Sequence, residues 1–283
     1  MGIHRHADPR GLPRSTRLDK LCGMSEVIDF ENVSVVRSGR SILDSINFKA
    51  QSNERWVIIG ANGAGKTTFL KVAAAQIHPS SGSARILGQQ LGQVDVFELR
   101  TRIGFASSAM AYQIPNSETV LNAVMTASYG IVGRWKETYD SIDERRARRV
   151  LSEWKLSDYV DRPFGTLSDG ERKRAQIARS IMTDPELLLL DEPVASLDLA
   201  SRELTIGLLG GYAASAQAPA MAMVTHHLEE IPAGFTHALI LKNGKAMAQG
   251  ELYSTITSET VSEAFDFNLK IEVNQGRFSA RAA

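Results

Sequence analysis

Short apolar runs alternate with stretches of helical character along most of the chain. Residues 56–59, 187–190 and 222–224 are strongly apolar, and we expect them to form buried core strands. Residues 68–75 and 170–182 have the composition of helices. This alternation predicts an α/β domain.

An antiparallel layer is predicted ahead of this core. Residues 27–30, 34–36 and 46–48 have the pattern of short strands, and residues 38–40 have the composition of a turn between two of them. This layer should lead directly into the strand at residues 56–59.

A helical segment is predicted at residues 117–155. Its second helix should run from Ser141 towards Trp154 and pack through one apolar side. The residues of that packed side are Ile142, Val150, Leu151 and Trp154. The arginine-rich outer side could dock on an acidic partner, but a solvated helix face is the favoured interpretation.

The two ends of the chain differ from this central part. Residues 1–23 are rich in arginine and proline and have no apolar h-region, so they are predicted to be a disordered extension rather than a secretory signal. Translation that starts at Met24 is a further hypothesis. The main domain is predicted at residues 24–250, with a helical subdomain at about 109–175, and residues 251–283 should form a tail that packs on it.

Composition narrows the class of protein. The 32 basic and 32 acidic residues balance to a formal net charge of +0, which gives no indication of a nucleic-acid partner. The single cysteine, Cys22, cannot form an internal disulfide, as expected for a reducing compartment. No run approaches the roughly 18 apolar residues of a membrane-spanning helix.

Residues 60–67 match the phosphate-binding pattern G-x-x-x-x-G-K-[ST], and they lie between a predicted strand and a predicted helix. The glycines allow backbone N–H groups to surround phosphate oxygens, and the helix N-terminus adds the positive end of its dipole. Lys66 is expected to reach the β- and γ-phosphates of ATP, and Thr67 to ligate Mg²⁺. The predicted phosphate-binding residues are Gly60, Ala61, Asn62, Gly63, Ala64, Gly65, Lys66, Thr67 and Thr68.

Two carboxylates, Asp191 and Glu192, end the apolar run at residues 187–190. In a chain with a phosphate-binding loop this is the Walker B arrangement, in which Asp191 holds Mg²⁺ through water. Glu192 would then act as the general base that orients the attacking water. His226 ends another apolar run, and ligands bind at one edge of open α/β sheets, so we expect it to sense the γ-phosphate.

Residues 167–171, Leu-Ser-Asp-Gly-Glu, open the helix predicted at residues 170–182. Ser168 and Glu171 have the spacing of a capping box, so one interpretation is that Ser168 only caps the helix. A functional role of Ser168 at this helix N-terminus is the favoured interpretation.

Taken together, these motifs resemble the nucleotide-binding subunits of ABC transporters. Residues 60–67 resemble Walker A, residues 167–171 the LSGGQ signature, Asp191 and Glu192 the Walker B carboxylates, residues 195–198 the D-loop, and His226 the switch histidine. The resemblance covers residues 27–250, and it is strongest to a bacterial group labelled molybdenum- or iron-complex-transport-like.

The resemblance implies a P-loop NTPase (RecA-like) core with an antiparallel β subdomain and an inserted helical subdomain. It also implies a head-to-tail dimer of two copies, in which Ser168, Gly170 and Asp198 contribute to nucleotide binding across the interface. Such a dimer would hydrolyse ATP with Mg²⁺ and drive an integral membrane permease from the cytoplasmic face of the cell membrane. In some systems an extracytoplasmic substrate-binding protein is a further partner, and no nucleic acid is expected.

Three positions depart from the family pattern. Arg37 stands where the family has an aromatic residue that stacks on adenine, and a guanidinium can stack on a base too. Ser108 stands in place of the Q-loop glutamine and could reach the metal only through water, unless Gln113 substitutes for it. Asp169 stands where the signature has glycine, and it should point away from phosphate, towards its own helix N-terminus.

The sequence therefore predicts the ATP-hydrolysing subunit of a transporter. The alternative is a soluble ABC ATPase that acts on ribosomes or nucleic acid. That alternative is less favoured, because the chain carries one cassette and no extended heptads.

Overall fold

The computed structural model describes residues 25–108, 114–129 and 141–283. The predicted N-terminal extension, Cys22, the Met24 start and Gln113 lie outside the described residues. The strands are β1 (Glu26–Arg37), β2 (Arg40–Gln51), β3 (Arg55–Ile59), β4 (Ser81–Ile86), β5 (Gln89–Gln90), β6 (Ile103–Ser107), β7 (Leu187–Asp191), β8 (Ala220–Val224), β9 (His237–Lys242), β10 (Lys245–Glu251), β11 (Leu269–Asn274) and β12 (Arg277–Ala282).

The α-helices of the described residues are α1 (Lys66–Ala73), α2 (Val96–Thr101), α3 (Val120–Met125), α4 (Ser141–Glu153), α5 (Asp169–Ile181), α6 (Leu199–Ala213), α7 (Leu252–Thr255) and α8 (Ser258–Phe265). Short 3-10 turns lie at Thr126–Tyr129, Ser157–Tyr159, Phe164–Thr166 and Leu228–Glu230. None of the described helices has the length and hydrophobicity that a membrane span requires.

The core is a six-stranded sheet of order β10-β9-β3-β8-β7-β6. Strands β6 to β9 and β3 run parallel, and β10 adds an antiparallel edge. The apolar runs predicted as core strands form β3, β7 and β8 at its centre. Strands β3 and β8 are buried throughout, as expected for parallel strands that are covered on both faces.

Alternate side chains of the sheet enter two separate hydrophobic cores. On β7, Leu188 and Leu190 pack with α3, α4 and α5, whereas Leu187 and Leu189 pack with α1 and the antiparallel strands. This two-sided burial fixes the register of β7, since a shift by one residue would exchange the two sets. The strand end that carries Asp191 is thereby fixed as well.

The antiparallel layer has the strand order β2-β1-β4-β5. The two short strands predicted at residues 27–30 and 34–36 are in fact one strand of 12 residues, β1. Its pairing with β2 continues through an irregularity between Phe30 and Val33, where Asn32 has a left-handed φ of 51°. A local bulge therefore absorbs the polar interruption that suggested two strands.

The second helix of the helical segment begins at the predicted Ser141 and ends at Glu153. Its buried residues are Ala147, Val150 and Leu151, and Trp154, just after the helix, is buried as well. The prediction for Ile142 is wrong, because 61% of this side chain is exposed. At 3.6 residues per turn, Ile142 lies roughly 130° around the helix from the middle of the buried stripe.

The tail contains α7, α8 and the antiparallel pair β11–β12. Leu252, Ile256, Val261 and Phe278 belong to the same hydrophobic core as the helical segment. Arg277 on β12 also pairs with Glu203 of α6 at 2.9 Å and donates to the carbonyl of Glu229 at 2.6 Å. Polar as well as apolar contacts thus join the tail to the rest of the chain.

Candidate nucleotide-binding and catalytic site

The strand register brings the predicted chemical residues to one edge of the sheet. Ile58, Val224, Asp191 and Ser107 are neighbours in one row across β3, β8, β7 and β6. The segments that follow these strands therefore leave the sheet side by side. They carry the phosphate-binding loop, His226, Glu192 and Ser108.

The loop from Gly60 to Gly65 connects β3 to α1. Gly60 and Gly65 have φ values of 159° and 101°, and a Cβ on Gly65 would lie 2.7 Å from the carbonyl oxygen of Ile42. Strand β2 therefore packs directly against the loop, and only glycine fits at this close approach. The loop ends at the first turn of α1, where free backbone N–H groups are available.

Lys66 is buried, with 6% of its surface exposed, and its side chain folds back over the loop. Its Nζ donates to the carbonyl oxygens of Gly60 at 2.7 Å and Ala61 at 3.0 Å. Burial lowers the pKa of Lys66, while the nearby carboxylates of Glu192 and Asp191 act in the opposite direction. The amine is thus held at the sheet edge by contacts that a phosphate could replace.

Thr67, in the first turn of α1, contacts Asp191 at the end of β7. The Thr67 hydroxyl donates to Asp191 Oδ1 at 3.1 Å. Burial raises the pKa of Asp191, and the hydrogen bond from Thr67 offsets part of this effect. The pair presents two oxygen ligands of the kind that Mg²⁺ prefers, one of them a half-buried carboxylate that a cation would stabilise.

Glu192 follows Asp191 with a left-handed φ of 49°. Its backbone N–H donates to the carbonyl of Val224 at 3.1 Å, and its Oε1 lies 3.1 Å from Nδ1 of His226. The sequence predicted both residues separately, and the structure brings them into contact. Thr225, just before His226, is fully buried and donates to the buried carboxylate of Glu230.

Lys173 is a residue of this edge that the sequence analysis missed. Its Nζ donates to Ser108 Oγ at 2.8 Å and to the main-chain carbonyl of Glu192 at 2.9 Å. Burial lowers its pKa, and the charges of Glu192 and Asp191 raise it. The available signal was its spacing of three and four residues from Gly170 and Ile177, which lie on the buried face of α5.

The predicted signature segment forms the N-terminus of α5. Ser168 is the N-cap: its hydroxyl accepts from the N–H of Glu171, and the Glu171 carboxylate accepts from the N–H of Ser168 at 2.8 Å. Burial alone would raise the pKa of Glu171, but these hydrogen bonds from Ser168 and one from Tyr159 lower it. The capping box is therefore present, and it fixes the position of the exposed Ser168.

Two further residues orient this segment. Asp169 is 77% exposed, and its carboxylate lies 3.5 Å from Arg172 on the same helix. A Cβ on Gly170 would lie only 2.7 Å from Ser201 Oγ of α6. The signature and the segment that begins α6 thus pack closely within one chain.

Asp198 and Arg37 are the remaining predicted nucleotide contacts. Asp198 caps α6, because its Oδ1 accepts from the N–H of Ser201 at 3.0 Å. Arg37 pairs with Arg40 at the exposed end of the β1–β2 hairpin, a few residues from the part of β2 that touches the phosphate-binding loop. Both side chains lie outside the group formed by Lys66, Thr67, Asp191, Glu192 and His226.

Comparison with known proteins gives the same assignment as these features. The sequence profile of the family described as "ABC transporter" matches residues 43–195, just over half of the chain. An ABC transporter ATP-binding protein of Bacillus subtilis (strain 168), YlmA, is 37% identical over 258 residues, which are 90% of this chain and 97% of that protein.

Two solved structures share the fold. One is an inward-facing "putative metal-chelate type ABC transporter", with a TM-score of 0.71 and 24% identity over 91% of this chain and 96% of that chain. The other is the dimeric bacterial ABC transporter cassette MJ0796, with a TM-score of 0.70 and 22% identity over 80% of this chain and 98% of that chain. The chain belongs to the ABC transporter family, as an ATP-binding cassette ATPase of the P-loop NTPase fold.

Proposed function

We propose that this ATPase is the energy-supplying subunit of a membrane transporter and that it works as a head-to-tail dimer. The observation that carries the proposal is the convergence of Lys66, the Thr67–Asp191 pair and the Glu192–His226 pair at one edge of the sheet. The arrangement combines phosphate binding, metal binding and water activation within the reach of one nucleotide.

The phosphates of ATP would lie on the loop of residues 60–67, where Lys66 exchanges its carbonyl contacts for phosphate oxygens. Thr67 and Asp191 would hold Mg²⁺, which supplies charge neutralisation to the phosphates when bound. The sequence also suggested Ser108 as a ligand of this metal through water; because its hydroxyl accepts from Lys173 at 2.8 Å, the proposal assigns the metal to Thr67 and Asp191 alone.

Glu192 acts as the general base in this proposal. Its carboxylate is hydrogen-bonded to a histidine at 3.1 Å and projects from a sheet edge, which leaves one carboxylate oxygen for an attacking water. His226 orients that carboxylate and senses the γ-phosphate. Arg37 would stack on the adenine ring of ATP, since the hairpin that carries Arg37 lies beside the phosphate-binding loop.

The signature contributes to the ATP of a second copy of the chain. Ser168 and the N–H groups at the start of α5 form an exposed helix N-terminus, which favours an anion. The carboxylate of Asp169 is directed to Arg172 of its own helix, so that it would not oppose a phosphate. The MJ0796 cassette, whose structure is a dimer, supports dimer formation by this chain.

A membrane permease is the proposed partner, and the cytoplasmic face of the cell membrane is the proposed location. The relative YlmA is named as an ABC transporter protein, and one structural neighbour is a metal-chelate type transporter. A metal complex is therefore the first substrate class to test. The alternative, an ABC ATPase of ribosomes or nucleic acid, has no specific observation in its favour.

The test uses the full chain with Glu192→Gln, which keeps the shape of the side chain and removes the base. This variant should bind ATP without turnover and elute as a dimer in ATP by size-exclusion chromatography, whereas Lys66→Ala should bind ATP weakly and remain a monomer. A monomeric Glu192→Gln protein in saturating ATP would contradict the composite site. Affinity purification of the same variant from detergent-solubilised membranes then identifies the partner, and recovery with ribosomes would favour the alternative.

A further inference from the structure

Lys173 connects the signature helix to the reacting edge of the same chain. It lies on α5, five residues after the cap residue Ser168. Its Nζ donates to Ser108 Oγ at 2.8 Å and to the carbonyl oxygen of Glu192 at 2.9 Å. Since these two acceptors follow neighbouring parallel strands, one side chain bridges the ends of β6 and β7.

The main chain of Glu192 requires such support. A φ of 49° lies in the left-handed region, which is unfavourable for a residue other than glycine. Three hydrogen bonds hold this conformation: the N–H donates to Val224, and the carbonyl accepts from the N–H of Ala195 at 3.3 Å and from Lys173. The ammonium of Lys173 makes the shorter and charge-assisted contact to that carbonyl, so it is the stronger of the two.

We propose that Lys173 is a positioning residue for ATP hydrolysis. It fixes the main chain that carries the Glu192 carboxylate, and it transmits the position of α5 to that carboxylate within one chain. This inference rests on the proposed role of Glu192 as the base. It assigns Lys173 to the orientation of the base and not to the binding of ATP.

Ser108 is the second anchor of Lys173 in this arrangement. An ammonium 2.8 Å from its hydroxyl disfavours a divalent cation near the same oxygen, because the two positive charges repel each other. Ser108→Ala should therefore resemble a milder Lys173 variant. It should leave unchanged the Mg²⁺ concentration that gives half-maximal activity.

The experiment compares Lys173→Met, Lys173→Arg and the control Arg149→Met in the full chain. Arg149 is exposed on α4 and lies 3.9 Å from Glu153, so its substitution removes the same charge from the surface of the helical segment. For Lys173→Met we expect kcat to fall on the order of 10-fold to 100-fold with the KM for ATP nearly unchanged, as for a displaced base. Lys173→Arg should recover part of kcat.

A second readout reports on the main chain without turnover. Hydrogen–deuterium exchange of the nucleotide-free protein should become faster at the Glu192 amide in Lys173→Met, and not in Arg149→Met. Lys173→Gln, which keeps a hydrogen-bond donor, replaces Lys173→Met if the latter fails to fold in a thermal melt. It should give an intermediate exchange rate and an intermediate kcat.

The outcomes separate this inference from the proposed function. Turnover that survives in Glu192→Gln would remove the proposed base, and the inference with it. An inactive Glu192→Gln protein together with wild-type kcat and exchange in the Lys173 variants would overturn the inference alone. A raised KM with unchanged kcat would also overturn it, because Lys173 would then act on the nucleotide. A lowered kcat with unchanged exchange at Glu192 would overturn it as well, because Lys173 would then not hold the main chain of Glu192. A Ser108→Ala protein that needs more Mg²⁺ would overturn the role of Ser108 as an anchor.

Discussion

Nδ1 of His226 lies 3.1 Å from Oε1 of Glu192, although the two residues are 34 positions apart in sequence and follow different strands. Because β7 and β8 are parallel and adjacent, their carboxyl ends lie side by side, and the residues that follow them can meet. The contact holds one oxygen of the proposed base in a fixed direction. Its loss should therefore affect the rate of hydrolysis more than the affinity for ATP.

For His226→Ala we expect kcat to fall on the order of 100-fold or more, with a small change in KM, since general-base catalysis contributes roughly 10² to 10⁴ in rate. Steady-state ATPase kinetics measure both constants. His227→Ala is the matched control: the His227 ring lies 4.1 Å from the His226 ring, but the side chain is exposed, and it is His226 that contacts the Glu192 carboxylate. Equal losses in the two variants would contradict the assignment of His226.

Much of this edge could be predicted from sequence because its residues follow recognisable strands. Asp191, Glu192 and His226 each end an apolar run, and parallel strands place such ends together. The bridge from Lys173 to Ser108 and Glu192 could not be predicted in this way. It depends on how α5 packs against β6, and a lysine at a buried helical position has no sequence motif of its own.

Two other features could not be predicted from the sequence pattern, because they too depend on how the helices pack. The contact of Gly170 with Ser201 depends on the distance between α5 and α6, which the sequence of neither helix determines. The exposed Ile142 shows the converse: an apolar residue near a helix start suggested packing, but the phase of the helix is set by Ala147, Val150 and Leu151 further along.

Asp191→Asn should stabilise the nucleotide-free protein while it removes activity. Burial raises the pKa of Asp191, so the ionised carboxylate costs free energy in the folded state, whereas an amide oxygen can still accept from Thr67. We expect a higher melting temperature without Mg²⁺ and ATP, and a loss in kcat on the order of 100-fold or more, since a bound metal contributes several kcal/mol to the transition state.

The difference in melting temperature between wild type and Asp191→Asn should depend on pH in a definite direction. A carboxyl whose folded pKa is raised binds its proton more tightly in the folded state, so its favourable contribution is complete below the ordinary pKa of 3.8 and is lost as the pH rises through the folded pKa. The melting temperatures of wild type and Asp191→Asn should therefore diverge as the pH rises from below 3.8 through the folded pKa of Asp191. Thermal melts across this range that show a constant difference would contradict a raised pKa.

Gly170→Ala should destabilise the contact between α5 and α6. The added Cβ would lie 2.7 Å from Ser201 Oγ and 2.8 Å from Ser201 Cβ, distances at which one helix must move. Overpacking of this kind costs roughly 1–3 kcal/mol in the free energy of unfolding, as measured by chemical denaturation. Adding Ser201→Gly removes both atoms, so the double variant should regain most of the loss; a double variant as unstable as Gly170→Ala would assign the cost to the backbone of α5.

Arg277→Met should loosen the segment that follows His226. The Arg277 guanidinium binds both carboxylate oxygens of Glu203 on α6, at 2.9 and 3.3 Å, and its Nη2 donates to the carbonyl of Glu229 at 2.6 Å. It thereby joins the tail both to α6, which Asp198 caps, and to the turn Leu228–Glu230. Because hydrogen bonds to charged groups contribute roughly 1.5–3 kcal/mol, the variant should lose on the order of 2 kcal/mol in unfolding free energy.

The same variant should show faster hydrogen–deuterium exchange in residues 226–230 and a several-fold lower kcat, because the orientation of His226 depends on this turn. Arg281→Met is the matched control, since Arg281 lies on the same strand and pairs with Glu272 inside the hairpin at 2.8 Å. If Arg277→Met and Arg281→Met change exchange equally, the effect belongs to the hairpin as a whole. If only Arg277→Met accelerates exchange after His226, the tail stabilises the catalytic edge through this one guanidinium.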